Sequence, residues 1–427
     1  MSATDGAPQA RPARWNPVSA MLSVMGVWAL IGLPFLRVAP NRMLSGEPVY
    51  FWGAWDAWDA WDAISSPVGA TTVLNSSLAG VLSPSFFTAF FLGLLLALWV
   101  LPFAPPRRPV LWFQAVSASA LFTAWVALAG WQASQLVSAD APFARTSLGG
   151  AFWTLLVIFW LMATDALQRL KGLLAAKMML VAAVLLSISL LLAQGAWDDL
   201  SLMKEYANRS DVFAAAITRH VQIVLLALLP TLCIGVPLGW WISRHSATGQ
   251  TLFPVLNIIQ TIPSVALFGL LMAPLALLAA ALPWLARAGI SGVGMAPGVI
   301  ALTLYSLLPV VRGTLAGFEA VPSAVVAAAR GMGMTQGAIF LRVELPLALP
   351  VLLAGVRTAT LQAVGLATVT ALIGAGGLGA IMFEGLFSSA PDLVLLGVLP
   401  VIALAVGVDA LFKLLIRLTA LNKGPQT

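Results

Sequence analysis

The chain alternates long apolar runs with short polar breaks. The runs approach the roughly 20 residues that an α-helix needs to cross a hydrocarbon core of about 30 Å. Ten of them stand at roughly 18–36, 84–102, 110–132, 148–164, 178–196, 217–242, 254–283, 294–311, 346–373 and 393–412. The seventh is too long for one upright span, so it predicts a tilted helix, a break at Pro263 or Pro274, or a partly re-entrant segment. The first follows Arg11 and Arg14, as the core of a signal peptide would. Its apolar run is long and no small-residue cleavage site follows, so it reads as a retained helix. The expected fold is all-α: a polytopic membrane protein of about ten transmembrane helices.

A polar stretch, Trp197 to Ala216, is the longest interruption after the first third of the chain. It predicts three regions: five N-terminal spans over 1–196, an outer-side linker over 197–216, and five further spans over 217–420. The last region carries Pro230, Gly235, Pro237, Pro263, Pro274, Pro309 and Pro350 inside its apolar runs. Membrane helices tolerate such residues where neighbours re-satisfy the freed backbone groups, and broken helices line substrate paths. The first five spans carry fewer breaks and read as a packing accessory.

Composition points the same way. Of 427 residues, 60% are hydrophobic and 9% charged, with mean hydropathy +0.96; soluble domains carry roughly 25% charged residues. The high isoelectric point, about 10.0, is a matter of topology rather than nucleic-acid binding, because the 22 basic residues form no stripe. With the N-terminus inside, the inner loops receive Arg11, Arg14, Arg107, Arg108, Arg169, Lys171, Lys177, Arg244, Arg312, Arg330, Arg342, Lys413, Arg417 and Lys423. Only Asp5, Asp165, Glu319 and Glu344 join them, while Asp56, Asp59, Asp62, Asp198 and Asp199 fall outside. Basic residues near span ends set orientation, so both termini are expected in the cytoplasm. One cysteine, Cys233, and two histidines, His220 and His245, exclude a disulfide framework and most metal sites. No metal and no cofactor is expected in this chain.

Two motifs carry no chemistry. Gly374-Ala-Gly376-Gly-Leu-Gly379 satisfies G-x-G-x-x-G but follows a membrane helix rather than a strand, so it reads as a tight turn. The tandem Trp-Asp-Ala repeat over 54–63 could trap a quaternary ammonium ion over its indoles. The plainer reading is a repeat at the membrane surface, where Trp is favoured. The phosphate loop G-x-x-x-x-G-K-[ST] is absent from the sequence, so any ATP that drives this protein is expected on a separate chain.

The informative segment is the predicted inner loop over 319–346. Pro322 suits a helix start, and Ser323–Arg330 is alanine-rich and strongly helix-forming. Gly331 and Gly333 then stop it, and Thr335 caps a second helix expected to run to Glu344, with Pro346 after it. So bare an alanine face on a loop outside the membrane predicts a surface covered by a partner protein.

This segment resembles the coupling signature of ABC importer permeases, which reads E-A-A, three residues, G, nine residues, I-x-L-P. Ala327-Ala328-Ala329 stand at the E-A-A positions, Arg330 follows, Gly333 comes after three residues, and Val343-Glu344-Leu345-Pro346 after nine more. Ala327 replaces the glutamate and Val343 the isoleucine. Gln260-Thr-Ile-Pro263-Ser, Leu304-Tyr-Ser-Leu-Leu-Pro309, Ala329-Arg-Gly-Met-Gly-Met334 and Ala371–Gly379 are similar to permeases of osmoprotectant importers for glycine betaine, choline and proline betaine. Residues 39–47, 144–150 and 202–209 are similar to a longer, YehY-like glycine betaine subgroup. The resemblance implies a permease domain of the binding-protein-dependent, MetI-like type in a bacterial inner membrane. It implies as partners a pair of cytoplasmic ATPase subunits that bind the ATP, a substrate-binding protein, and a second permease that is identical or a paralogue.

Candidate path residues are Gln260, Tyr305 and Gln362, each equally able to be a helix-packing hydrogen bond. Arg357 lies well inside the ninth span, where a charge is costly, and Asp409 in the tenth is its expected partner. The alternatives are a secondary transporter, or an ABC permease for another small solute such as an amino acid. The first would need membrane-embedded acids for ion coupling, and only Asp409 is clearly so placed.

Overall fold

The computed structural model describes residues 16–41, 46–51, 93, 95–96, 98–136, 144–170, 174–287 and 289–421. The Trp-Asp-Ala repeat and most of the expected second span lie outside the described residues. The chain divides into two compact units, Met1–Lys204 and Glu205–Thr427.

The first unit holds α1 (Pro17–Gly32), α2 (Arg108–Leu136), α3 (Gly150–Arg169) and α4 (Leu174–Ala193), and the short α5 (Ser201–Ala207) carries the unit boundary. Strands β1 (Leu36–Ala39), β2 (Glu47–Val49) and β3 (Arg145–Leu148) form an antiparallel sheet in the order β2-β1-β3, a small departure from the all-helical expectation. The sheet satisfies the backbone of two inter-helix connections, with Leu36 opposite both Val49 and Leu148. Beneath it Phe35 packs 4.4 Å from Trp125, whose indole N–H donates to the Phe152 carbonyl at 3.2 Å. At one end a polar cluster ties three helices. Asn16 Nδ2 donates to Asp165 at 2.7 Å, Gln114 Nε2 to Ser19 at 3.2 Å, and Arg169 to both Asp165 and Asn16.

The second unit is built round α10 (Met295–Glu319), the helix with the largest buried share among the candidate spans. It packs against α6 (Ser210–Arg244) and α13 (Leu345–Leu366) through residues without bulk. A Cβ on Gly355 would lie 2.7 Å from the Gly313 Cα, and one on Gly317 would lie 2.8 Å from the Ala348 carbonyl oxygen. On the other side Gly235 meets Val310 and Gly239 meets Thr314. Lipid tails are as apolar as the side chains, so close backbone approach of this kind holds membrane helices together.

The seventh run resolves into α7 (Ser246–Thr261) and α8 (Ser264–Ala281), broken at Ile262–Pro263, while Pro274 stays inside α8. After the short α9 (Pro283–Arg287) and α10 come α11 (Ser323–Gly331) and α12 (Gln336–Ile339). The expectation that the second of these helices ends at Glu344 is corrected. A π-helical turn, Phe340–Glu344, continues without a break into α13, giving one 31-residue helix over Gln336–Leu366. Pro346 has no N–H to give the preceding turn; the Leu345 N–H reaches back to the Phe340 carbonyl instead, so the widened turn absorbs the proline rather than ending the helix. The ninth run then finishes as a 3-10 turn, Val369–Ile373, before α14 (Leu378–Phe387) and α15 (Pro391–Leu421). Between the 3-10 turn and α14, Gly374, Gly376 and Gly377 all have φ near +80°, as a glycine turn requires.

Among the described residues eight helices are long and apolar enough to cross a membrane, and α1 and α14 are shorter apolar helices.

Candidate functional site

The 319–346 segment forms a compact helical corner at the end of α10. α11 starts after Pro322 and ends where Gly333 takes φ +78°, a conformation open mainly to glycine. The Met334 N–H then bonds the Ala329 carbonyl, and the Thr335 hydroxyl caps α12 through the Ala338 N–H at 3.4 Å. Ala327, Ala328, Arg330, Gly333 and Pro346 are exposed, Val343 and Leu345 are half-buried, and Ala329 is buried inside the corner. Around the alanine face stand large apolar side chains open to the outside: Met332 is 75% exposed, Leu341 63% and Val325 43%.

The corner is seated on a shared hub. Phe340 stacks on Phe318 of α10 at 5.8 Å and meets Trp240 of α6 edge-on at 5.6 Å. Glu344, its side chain 8% exposed, forms an ion pair with Arg244 in the last turn of α6. Beside that pair is a cavity of about 340 Å³ lined by residues that include Ala327, Arg330 and Glu319.

The other predicted residues fall in three places. Gln260 and Tyr305 come together at the break between α7 and α8. The Gln260 amide donates to the Tyr305 carbonyl at 2.8 Å, and the Tyr305 hydroxyl donates to the carbonyl of Ile262. These bonds occupy backbone oxygens beside the break, which is how a membrane helix tolerates one. Gln362 is half-buried on α13, away from that pair in the chain. Arg357 does meet Asp409: its Nε donates to Oδ1 at 2.6 Å, and Lys413 reaches Oδ2 at 2.7 Å.

Comparison with known proteins matches residues 233–420 to the family of binding-protein-dependent transport system inner membrane components, a range that takes in this whole corner. Residues 14–82 and 75–203 match the N-terminal domain of the ABC transporter permease YehY. The chain is an ABC transporter permease. It is 38% identical to the choline transport system permease protein OpuBB of Bacillus subtilis over 44% of this chain and 80% of that one. It is 37% identical to the osmoprotectant import permease protein OsmW of Salmonella typhimurium over 46% and 87%. With the carnitine transport permease protein OpuCB of Listeria monocytogenes it shares 38% over 47% and 85%.

Several residues of the permease carry more than their sequence announces. Arg244 and Trp240 give no spacing signal, because their partners Glu344 and Phe340 lie 100 residues away in the chain. Glu344 reads as a polar helix-end residue, yet it is buried. His220 is fully buried on α6, its Nε2 3.1 Å from the Val364 carbonyl, with Gly377 of the glycine turn against its ring. Its neighbour Arg219 donates to the Ala375 carbonyl at 3.1 Å, so α6 holds both α13 and the glycine turn.

Proposed function

We propose that this permease imports small quaternary-amine osmoprotectants of the glycine betaine and choline class, driven by ATP hydrolysed on a partner subunit. The observation that carries the proposal is the exposed corner at 323–346. It keeps the family's coupling spacing and surrounds bare alanines with Val325, Met332 and Leu341. Large apolar side chains left open on a segment outside the membrane mark a protein-binding surface. In this reading the corner lies in the cytoplasm, with both termini, and docks into an apolar groove of the ATPase.

No covalent chemistry falls to the permease, which supplies geometry and a partner surface; the ATP site belongs to the ATPase pair. A second permease, identical or paralogous, completes the path, and a substrate-binding protein delivers the solute from outside. Gln362 contributes to the path directly, while Gln260 and Tyr305 shape it by holding the break at Pro263. Ala327 removes the carboxylate that the family signature places there, so docking rests on apolar contact and on Arg330. The relatives' names, which specify choline, carnitine and osmoprotectants, support the substrate class.

The test is reconstitution of the permease with its ATPase and binding protein in proteoliposomes. ATP-dependent uptake of glycine betaine or choline is expected, and uptake of an amino acid in their place overturns the substrate class. Reporter fusions after Lys177 and Arg330 should read as cytoplasmic, and fusions near Asp59 and Asp199 as external. An external signal at Arg330 ends the docking reading.

A further inference from the structure

The corner at 319–346 continues directly into α13, so any movement of it must move α13. The structure also fastens it to a helix that the chain does not join to it. The π turn presents Phe340 and Glu344 together to the end of α6, where Trp240 and Arg244 receive them. Glu344 is almost completely buried, and a buried carboxylate stripped of its cation is strongly destabilising. The corner and the end of α6 therefore separate only at the cost of exposing or stranding that charge. Both α6 and α13 grip α10, through Gly235 and Gly239 on one side and Gly313 and Gly355 on the other. A π turn within an α-helix is a frequent mark of a functional position, and here it sets the register of both contacts.

Resting on the docking reading above, we propose that Arg244 and Glu344 are a positioning pair. It carries movement of the ATPase-docking corner into α6, so that the ends of α6 and α13 travel as one body through the transport cycle. Neither residue touches substrate or nucleotide.

The experiment uses the complete transporter, with ATPase and binding protein, in lipid. Glu344→Gln and Arg244→Gln should each lower solute taken up per ATP hydrolysed severalfold. The double exchange Arg244→Glu with Glu344→Arg should recover most of that ratio, which a purely structural role in folding would not move. Single variants with a wild-type ratio overturn the proposal, as does a double exchange no better than the singles. Where a variant fails to assemble, a second measurement decides. In a Cys233→Ser background, spin labels at His245→Cys and Val351→Cys should keep one distance distribution in the nucleotide-free and ATP-trapped states. A shift between those states overturns the proposal whatever the variants do. A wild-type complex that neither retains its ATPase nor transports would instead refute the docking reading itself.

Discussion

Gly355→Ala tests the central packing of the second unit. The added Cβ would stand 2.7 Å from the Gly313 Cα and 2.8 Å from the Pro309 carbonyl oxygen. Carbon atoms pack comfortably at about 3.5–4.0 Å, so the overlap is close to 1 Å. Both obstacles are backbone, and no side-chain rotation relieves them; the helices must part. Overpacking of a close-packed site costs about 1–3 kcal/mol. Gly365 lies ten residues further along the same helix and has open space where its Cβ would go. There alanine should be neutral or stabilising, because glycine within a helix is about 0.5–1 kcal/mol worse than alanine. The assay is thermal unfolding of the purified permease in detergent, followed by size-exclusion chromatography of the surviving fraction. Gly355→Ala should melt below wild type, and Gly365→Ala at or above it. Equal midpoints for the two would refute the claim that backbone contact at this crossing holds the unit together.

Other outcomes follow from other sites. Gly333→Val should reach the membrane but lose ATPase retention and uptake, since a β-branched residue at φ +78° is strained by about 1–3 kcal/mol; Gly333→Asn, which tolerates that conformation, should retain both, and normal uptake by the valine variant would remove the corner from the mechanism. Asp409→Leu should lower the melting point by leaving Arg357 without its carboxylate, and adding Arg357→Leu should restore part of the loss, both read by the same thermal assay. Deleting residues 55–63 should leave uptake within a few-fold of wild type, and abolished uptake at normal membrane levels would favour the aromatic-trap reading.

The elements most legible in the sequence are those set by local chemistry. Apolar runs give the spans, Thr335 the cap and Gly333 the left-handed turn, because each depends on a few adjacent residues, while the break in the seventh run stayed open between Pro263, Pro274 and a tilted or re-entrant segment. Arg357 and Asp409 were legible as a pair because two unlike charges inside apolar runs have little else to meet. The end of α12 was not legible: Pro346 reads as a stop, and only the wider π turn, held by the neighbouring aromatic rings, lets the helix pass. The small sheet was missed because strands of three or four residues carry too little periodicity to register. Gln260 and Tyr305 read equally as path or packing residues, because polarity in a span marks function and helix packing alike. Their geometry is a clasp on the break.

The crossing of Gly313 and Gly355 also fixes a gear ratio. From Gly355 to the start of the continuous helix at Gln336 is about 29 Å at 1.5 Å per residue, and from Gly355 to its end at Leu366 is about 16 Å. A rigid helix rocking on that contact has a near arm almost twice the far one. Displacement at the corner therefore returns at the other end in the opposite direction and reduced to a little over half. Sliding the contact by one helical turn, about 5.4 Å, toward the corner would make the arms nearly equal. The position of two glycines thus sets how far the far end of the span swings for each stroke at the near end.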